Sequence, residues 1–187
     1  MPCTRNMPPR SRTAGSFRSR GLPGIEIPLK PPVPPKQRRA VLGIPISWQR
    51  LGECEHFVVE RDPFHNLVRV TRISDLYADI AALRTAHDWL LKLLASYDRA
   101  RIVLVWDGRR GKLRNDPEFE AAIKQVLPAL TAGWREFVSI NNTPAVKIQF
   151  FRWSQEGTTG RIRVFNDEKE ALTFALECQH AEPEKRS

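Results

Sequence analysis

A run of five consecutive apolar residues, IVLVW at 102–106, limits the folds available to this chain more than any other segment. Three of the five are β-branched, and their consecutive positions make both faces of a strand apolar. Such a strand is typical of the centre of a parallel sheet that helices cover on both sides. Because loops at the carboxyl ends of such strands commonly carry function, the sequence predicts a candidate site directly after Asp107.

Strand and helix patterns alternate along the rest of the domain. Apolar residues at helical spacing indicate helices, short β-branched runs indicate strands, and an Asp-Pro turn between the first two runs indicates a hairpin. The order β-β-α-β-α-β-α-β-α predicts an α/β fold in which helices pack against a mixed β-sheet. The predicted strands are 57–60, 67–72, 102–106, 137–140 and 161–165, with a further strand or turn within 41–51.

Capping residues predict where the helices begin. Ser74 or Asp75 is the expected N-cap of a first helix that reaches about residue 97. Asp116 precedes Pro117, a pairing typical of a helix start, and Gly133 marks the end of that second helix. Thr143-Pro144 predicts the start of a third helix that continues to Gly157. Asp167 with Glu170 resembles a capping box and predicts a fourth.

Residues 1–40 have a composition of their own. They contain nine of the 15 prolines and nine of the 30 Lys and Arg residues, but a single acid, Glu26. Residues 41–187 contain 21 basic and 20 acidic residues, so the net charge of +9 belongs mainly to the tail. We therefore expect a disordered basic Pro-rich tail over 1–40 and a nearly neutral domain over 41–180. We therefore do not expect nucleic acid as a partner, except through the basic tail.

The segment PPVPPK at 31–36 prefers an extended polyproline conformation, which makes it either a stiff spacer or a ligand for an SH3-type groove. Three widely spaced cysteines predict a reducing compartment rather than a disulfide scaffold. We find no secretory signal, and no apolar stretch approaches the roughly 20 residues of a membrane-spanning helix. These observations favour a cytoplasmic protein.

The loop GRRGKLR at 108–114 brings four cations next to the start of the second helix. Unpaired backbone donors and the helix dipole favour an anion at such a position. The loop is therefore either a site for a phosphate, a lipid head group or an acidic partner, or a solvated basic loop. The candidate partner- or anion-binding residues are Asp107, Arg109, Arg110, Lys112, Arg114, Asn115 and Asp116.

The element order, with LVWD at 104–107, NDPEFE at 115–120 and VFND at 164–167, resembles the STAS domains, named for sulfate transporters and anti-sigma factor antagonists. The resemblance extends over about residues 55–177. It is greatest to bacterial members that share their shape with the CRAL-TRIO lipid-binding fold. This resemblance implies a STAS-like fold and a protein-interaction module. The alternative that it implies is a carrier for a lipid or a nucleotide.

Anti-sigma factor antagonists of this family are switched by phosphorylation of a hydroxyl at the start of the helix after the central strand. The corresponding segment here is RNDP at 114–117, and no Ser or Thr occurs between Asp107 and Leu130. The chain therefore departs from the family pattern, and we expect no phosphorylation switch at this position. Asp116 either imitates the charged state or, in our preferred interpretation, is an ordinary helix cap.

Other chemical signals are weaker. The pairs Cys54/His56 and Cys178/His180 lack the spacing of a zinc site, so we predict no metal and no cofactor. His87 lies beside the apolar stripe of the first helix, which favours a hydrogen-bonded core histidine over a catalytic base. The tryptophans are expected as core or interface anchors. We therefore predict a non-enzymatic module that binds a regulatory protein through the 107–118 loop and the next helix.

A small-ligand carrier remains the alternative, and an enzyme is a third. The first two differ in cavity size, because a carrier requires an apolar pocket of roughly 300 Å³ or more, whereas an interaction module can be fully packed.

Overall fold

The computed structural model describes residues 45–112, 114, 116–155 and 162–181. These residues form six strands, four α-helices and a short 3-10 turn at Arg99–Arg101. The predicted α/β class, a mixed sheet with packed helices, is confirmed, whereas the tail over 1–40 lies outside the described residues. The elements in chain order are β1 (Gln49–Glu53), β2 (Phe57–Asp62), β3 (Leu67–Arg72), α1 (Ile80–Leu94), β4 (Val103–Asp107), α2 (Pro117–Thr131), β5 (Glu136–Ile140), α3 (Pro144–Gln155), β6 (Ile162–Phe165) and α4 (Glu168–His180).

The six strands lie side by side in the order in which they occur in the chain. β1, β2 and β3 pair in antiparallel fashion, and β3, β4, β5 and β6 pair in parallel. The crossovers that parallel neighbours need contain α1, α2 and α3 among their described residues. The carboxyl ends of β3 to β6 therefore lie along one edge of the sheet.

β4 is buried on both faces, as its sequence predicts. Val103, Leu104 and Val105 are fully inaccessible to solvent. Leu104 points into a core shared with α1 and α2, whereas Val103 and Val105 belong to a second core under α4. The strand ends at Asp107, one residue later than the predicted limit. Helices on both faces thus follow from a strand that has no polar side.

The start of α1 differs from the prediction. The helix begins after Asp79, whose side chain accepts a hydrogen bond from the Ala82 backbone, and neither Ser74 nor Asp75 is its cap. Arg72 explains the difference, because its guanidinium donates to the carbonyls of Ser74 and Asp75 and holds this segment outside the helix. The helix also ends at Leu94, earlier than predicted.

The other helix starts are confirmed. Asp116 caps α2 by accepting from the Phe119 backbone N–H, with Pro117 at the first position. Asp167 caps α4 by accepting from the Glu170 backbone N–H. Gly133, just after α2, has a φ of 83°, the left-handed conformation that favours glycine. The predicted end of α3 at Gly157 lies outside the described residues.

The β2–β3 hairpin is confirmed and is held by one buried carboxylate. Asp62, fully buried, accepts hydrogen bonds from the backbone N–H groups of Ser47, Phe64 and His65. It also accepts one from the His65 ring, whose Nδ1 lies 2.9 Å from Oδ2. Burial acts to raise the pKa of Asp62, but these hydrogen bonds outweigh it and lower the pKa below its ordinary value.

We predict that Asp62→Ala lowers the free energy of unfolding by about 3 kcal/mol, because it leaves several buried donors without an acceptor. The lowered pKa means that the contribution of Asp62 is present at neutral pH and is lost as pH falls below about 4. The difference in the free energy of unfolding between the unmodified chain and Asp62→Ala, measured with urea, should therefore shrink at low pH. Asp88→Ala, on the exposed face of α1, is the matched control. An Asp62→Ala protein as stable as this control contradicts the assigned role.

Candidate functional site

The candidate loop begins with an ion pair between a buried carboxylate and a partly exposed arginine. Asp107 ends β4 and is 6% exposed. Arg109 donates to both of its carboxylate oxygens, from Nε at 2.9 Å and from Nη2 at 2.6 Å. The Arg109 backbone N–H donates to the same group, so the turn after β4 closes on its own carboxylate. This bidentate geometry is the strong form of an Arg–carboxylate contact.

Arg109 also connects the loop to α4. Its Nη2 lies 2.7 Å from Oε2 of Glu168, the first residue of that helix. Arg69 on β3 approaches the other oxygen of Glu168 at 3.4 Å. The hydrogen bond to Asp107, with help from Glu168, raises the pKa of Arg109 further above its ordinary value. The charge of Arg109 is therefore shared between two carboxylates of the same chain.

The next two cations bind the segment before α1. Arg110 donates from Nη1 to the carbonyl of Ile73. Lys112 Nζ lies 2.9 Å from Oδ2 of Asp75, and the Lys112 backbone N–H donates to the carbonyl of Asp75. The Lys112 ammonium lowers the pKa of Asp75 below its ordinary value. These contacts attach the loop to the carboxyl end of β3.

The fourth cation supports the start of α2. Arg114 donates from Nε to Oδ2 of Asp116 at 2.8 Å, and its guanidinium lies 4.7 Å from the ring centre of Phe119. Burial acts to raise the pKa of Asp116, but the Phe119 backbone N–H and Arg114 outweigh it and lower the pKa. The predicted cap at Asp116 is thus confirmed. Asn115, the remaining candidate, lies outside the described residues.

Each of the four candidate cations therefore has a partner within the chain. Three of them contact carboxylates, at Asp107, Asp75 and Asp116, and Arg110 contacts a carbonyl. The loop is organised by these pairs rather than by repulsion between its charges. Its assignment as a partner- or anion-binding surface stays a prediction, and an incoming anion would compete with carboxylates already present.

Two glycines let this loop lie close to its neighbours. A Cβ on Gly111 would lie 2.8 Å from the Arg72 guanidinium, and one on Gly108 would lie 2.7 Å from Oδ1 of Asn141. Asn141 itself donates to the buried Ser139 hydroxyl at the end of β5. A Cβ at either position would force the Arg72 or the Asn141 side chain to move, so the two glycines allow the loop to close over the ends of β3 and β5 as it does here.

A half-open cavity of about 110 Å³ lies beneath this loop, between the sheet and helices α1, α2 and α3. Gly111, Lys112 and Arg114 form its rim on the loop side. Gln149 on α3 is part of the opposite side. Most of its interior is aromatic, with walls contributed by Trp106, Phe119, Phe137, Phe150 and Trp153.

The charged groups around the cavity are mostly cationic. Arg72, Lys112 and Arg114 line it, and Glu120 is the one carboxylate among its described lining residues. Glu120 is already engaged, because Lys124 and Arg152 both lie within salt-bridge distance of its Oε1. The lysine contact lowers the pKa of Glu120, and burial opposes this. Cations thus outnumber carboxylates among the lining residues, while Asp75 and Asp116, which are not among them, pair with Lys112 and Arg114.

His87 forms part of the cavity wall from the side of α1. It is 3% exposed, and its Nδ1–H donates to the carbonyl of Leu83 at 2.9 Å. Its ring packs against Phe57 and Trp106. Burial lowers the pKa of His87 to about 4, so the imidazole is neutral at pH 7. The predicted hydrogen-bonded core histidine is confirmed.

One side of the cavity was predictable from the sequence, and the other sides were not. The loop after Asp107 was singled out, whereas Trp106 and Trp153 were predicted simply as core or interface anchors. The available signal was the position of Trp106 directly before the site and the aromatic cluster in α3. Nothing local in the sequence shows that these side chains and His87 surround one space.

Within the described parts of the chain, no cluster of three or more His, Cys, Asp or Glu side chains has the arrangement of a metal site. Cys54 and Cys178 pack against different cores, on opposite faces of the sheet. Among the described helices, none combines the length and apolar character needed to cross a bilayer. Comparison with protein-family models, curated proteins and solved structures found no match to this chain.

We predict that Arg109→Ala lowers the free energy of unfolding by about 1–2 kcal/mol, because it leaves the buried Asp107 carboxylate without its main partner. Arg110→Ala removes the same charge from the same loop but only an exposed contact to a carbonyl. It should change stability by less than about 0.5 kcal/mol. Urea unfolding of the two variants tests the role of Arg109 as the partner of Asp107. Equal losses of stability for Arg109→Ala and Arg110→Ala would contradict that role.

Proposed function

We propose that this chain is a non-enzymatic, STAS-like interaction module in the cytoplasm that binds a regulatory protein at the mouth of the aromatic cavity. The observation that carries the proposal is the cavity itself, a half-open space of about 110 Å³ at the carboxyl edge of the parallel strands. Gly111, Lys112 and Arg114 form part of its rim. Ligands and partners of open α/β sheets bind at this edge.

The cavity volume favours an interaction module over a carrier. Sites that enclose a small-molecule ligand usually measure about 300–1,000 Å³. A space of about 110 Å³ is too small to enclose a whole lipid or nucleotide. It suits one side chain of a partner, and a buried anchor of this kind typically dominates the energy of a protein interface.

The outer surface of α3 adds apolar area beside the cavity. Ile148 is 69% exposed and Phe151 is 65% exposed. They lie three residues apart and therefore share one face of the helix. Val146 and Phe150 of the same helix line the cavity. A helix with apolar residues on two faces, one of them exposed, supports a role in binding another protein.

The surroundings of His87 support a non-catalytic role. Its described hydrogen bond goes to a backbone carbonyl, and its ring is held between aromatic side chains. A general base needs a neighbouring nucleophile or substrate position and a suitable pKa, whereas burial lowers the pKa of His87 to about 4. Asp116 is likewise occupied by the cap of α2, so we propose no phosphorylation switch there.

Site-specific cross-linking tests this proposal. We predict that p-benzoylphenylalanine in place of Gln149, at the cavity mouth, captures one protein of reproducible mass in the cells that make the chain. The same cross-linker in place of Lys169, an exposed residue at the start of α4, is the matched control and should not capture it. The additional substitution Ile123→Trp, which fills the cavity, should abolish the adduct.

Two results would overturn the proposal. One is an equal set of adducts at the two positions, which would show no preference for the cavity mouth. The other is an adduct that persists with Ile123→Trp, which would place the partner elsewhere. Native mass spectrometry of the same material would reveal a retained small molecule, the result that the carrier alternative requires.

A further inference from the structure

We propose that the cavity accepts an unphosphorylated tyrosine side chain that lies within an acidic segment of the partner protein. This inference rests on the proposed function and specifies the chemistry of its partner. The supporting observations are the size and walls of the cavity, a hydrogen-bond acceptor among its lining residues, and the cations at its rim.

The size and walls of the cavity match one aromatic ring. An apolar cavity of about 150 Å³ in another protein holds a benzene molecule. A half-open space of about 110 Å³ is of the same order. Five aromatic side chains line it, and Phe150 and Trp153 already form an edge-to-face pair with ring centres 5.6 Å apart. Aromatic rings favour such contacts with a further aromatic ring.

His87 lines the cavity and has one ring nitrogen that can accept a hydrogen bond. Its Nδ1–H donates to the carbonyl of Leu83, so in the neutral ring Nε2 carries a lone pair. Among the described residues, none hydrogen-bonds Nε2. Because the side chain lines the cavity, a guest with a hydroxyl donor can satisfy this nitrogen. Tyrosine combines one ring with such a donor, and phenylalanine lacks the donor.

The rim favours acidic residues next to the tyrosine. Lys112 lies at the opening, with a side chain that is 66% exposed, and an acidic partner residue would share its ammonium with Asp75, which lies 2.9 Å away. Arg72 lies deeper, over the Tyr77 ring, and its described hydrogen bonds go to two carbonyl oxygens rather than to a carboxylate. Asp75 interacts electrostatically with Arg72, so an incoming acidic group would share this cation with Asp75. Acidic residues on both sides of the tyrosine would complement this rim.

Fluorescence anisotropy with the full chain and three labelled peptides tests the inference. The peptides carry a tyrosine, a phenylalanine or a phosphotyrosine between two acidic residues on each side. We expect the tyrosine peptide to bind about fivefold more tightly than the phenylalanine peptide, the effect of one hydrogen bond. The phosphotyrosine peptide should bind more weakly than both, because its phenolic oxygen has no proton to donate and the phosphate exceeds the space.

Two variants assign the discrimination to named groups. His87→Phe should abolish the preference for tyrosine, because it removes the acceptor of the tyrosine hydroxyl. The phenylalanine peptide makes no such hydrogen bond, so its affinity should stay within about twofold. Lys112→Ala should weaken all three peptides severalfold and reduce the salt dependence of binding. Lys92→Ala, an exposed lysine on α1, is its charge-matched control and should behave as the unmodified chain. Thermal unfolding of each variant checks that the fold is retained.

Equal binding of the tyrosine and phenylalanine peptides by the unmodified chain would overturn the role of His87. Tighter binding of the phosphotyrosine peptide would overturn burial of the hydroxyl. If none of the three peptides binds the chain, the inference is also overturned. In each case the proposed function is judged separately, by whether the cross-linker at Gln149 captures a protein. Free 4-hydroxyphenylacetate that binds as tightly as the tyrosine peptide would identify a small-molecule site and contradict the choice of a peptide.

Discussion

The two-sided burial of β4 is the constraint on which the rest of the structure depends. A strand with no polar face needs helices on both sides, and here α1 and α2 cover one face and α4 the other. Burial of Leu104 and Val105 leaves the first polar group of this strand at its end, at Asp107. The carboxyl edge of the sheet consequently holds the buried Asp107 carboxylate, the loop that closes on it, and the cavity.

The loop after β4 combines a structural role with the formation of the cavity rim. Arg109 pairs with Asp107 and Glu168, which fixes the loop between β4 and the start of α4. The close approach of Gly111 to Arg72 then brings Lys112 to the opening beside α3. The charges at the rim are thus positioned before any partner arrives, which reduces the ordering that binding would otherwise require.

Features set by nearby residues were predictable from the sequence. The double-faced pattern of β4, the cap at Asp116 with Pro117, and the capping aspartate Asp167 all act within a few residues, and the structure confirms them. The predicted start of α1 was wrong, because Arg72 donates hydrogen bonds to the carbonyls of Ser74 and Asp75 before the helix. These side-chain contacts outweigh the local capping preference. The Arg109–Glu168 pair joins residues 59 positions apart, and the cavity depends on packing among four elements, so neither has a local signature. The resemblance to STAS domains stays a prediction.

The most direct test of the account asks whether a single phenolic ring enters the cavity. Its measurement is a titration of the ¹⁵N-labelled chain with 4-methylphenol, followed through the indole N–H signals of its five tryptophans in two-dimensional NMR. Saturable shifts are expected for Trp106 and Trp153, which line the cavity, and little change is expected for Trp134, whose indole donates to the Leu130 carbonyl. Unchanged Trp106 and Trp153 signals, or equal shifts for all tryptophans, would contradict an aromatic-binding cavity.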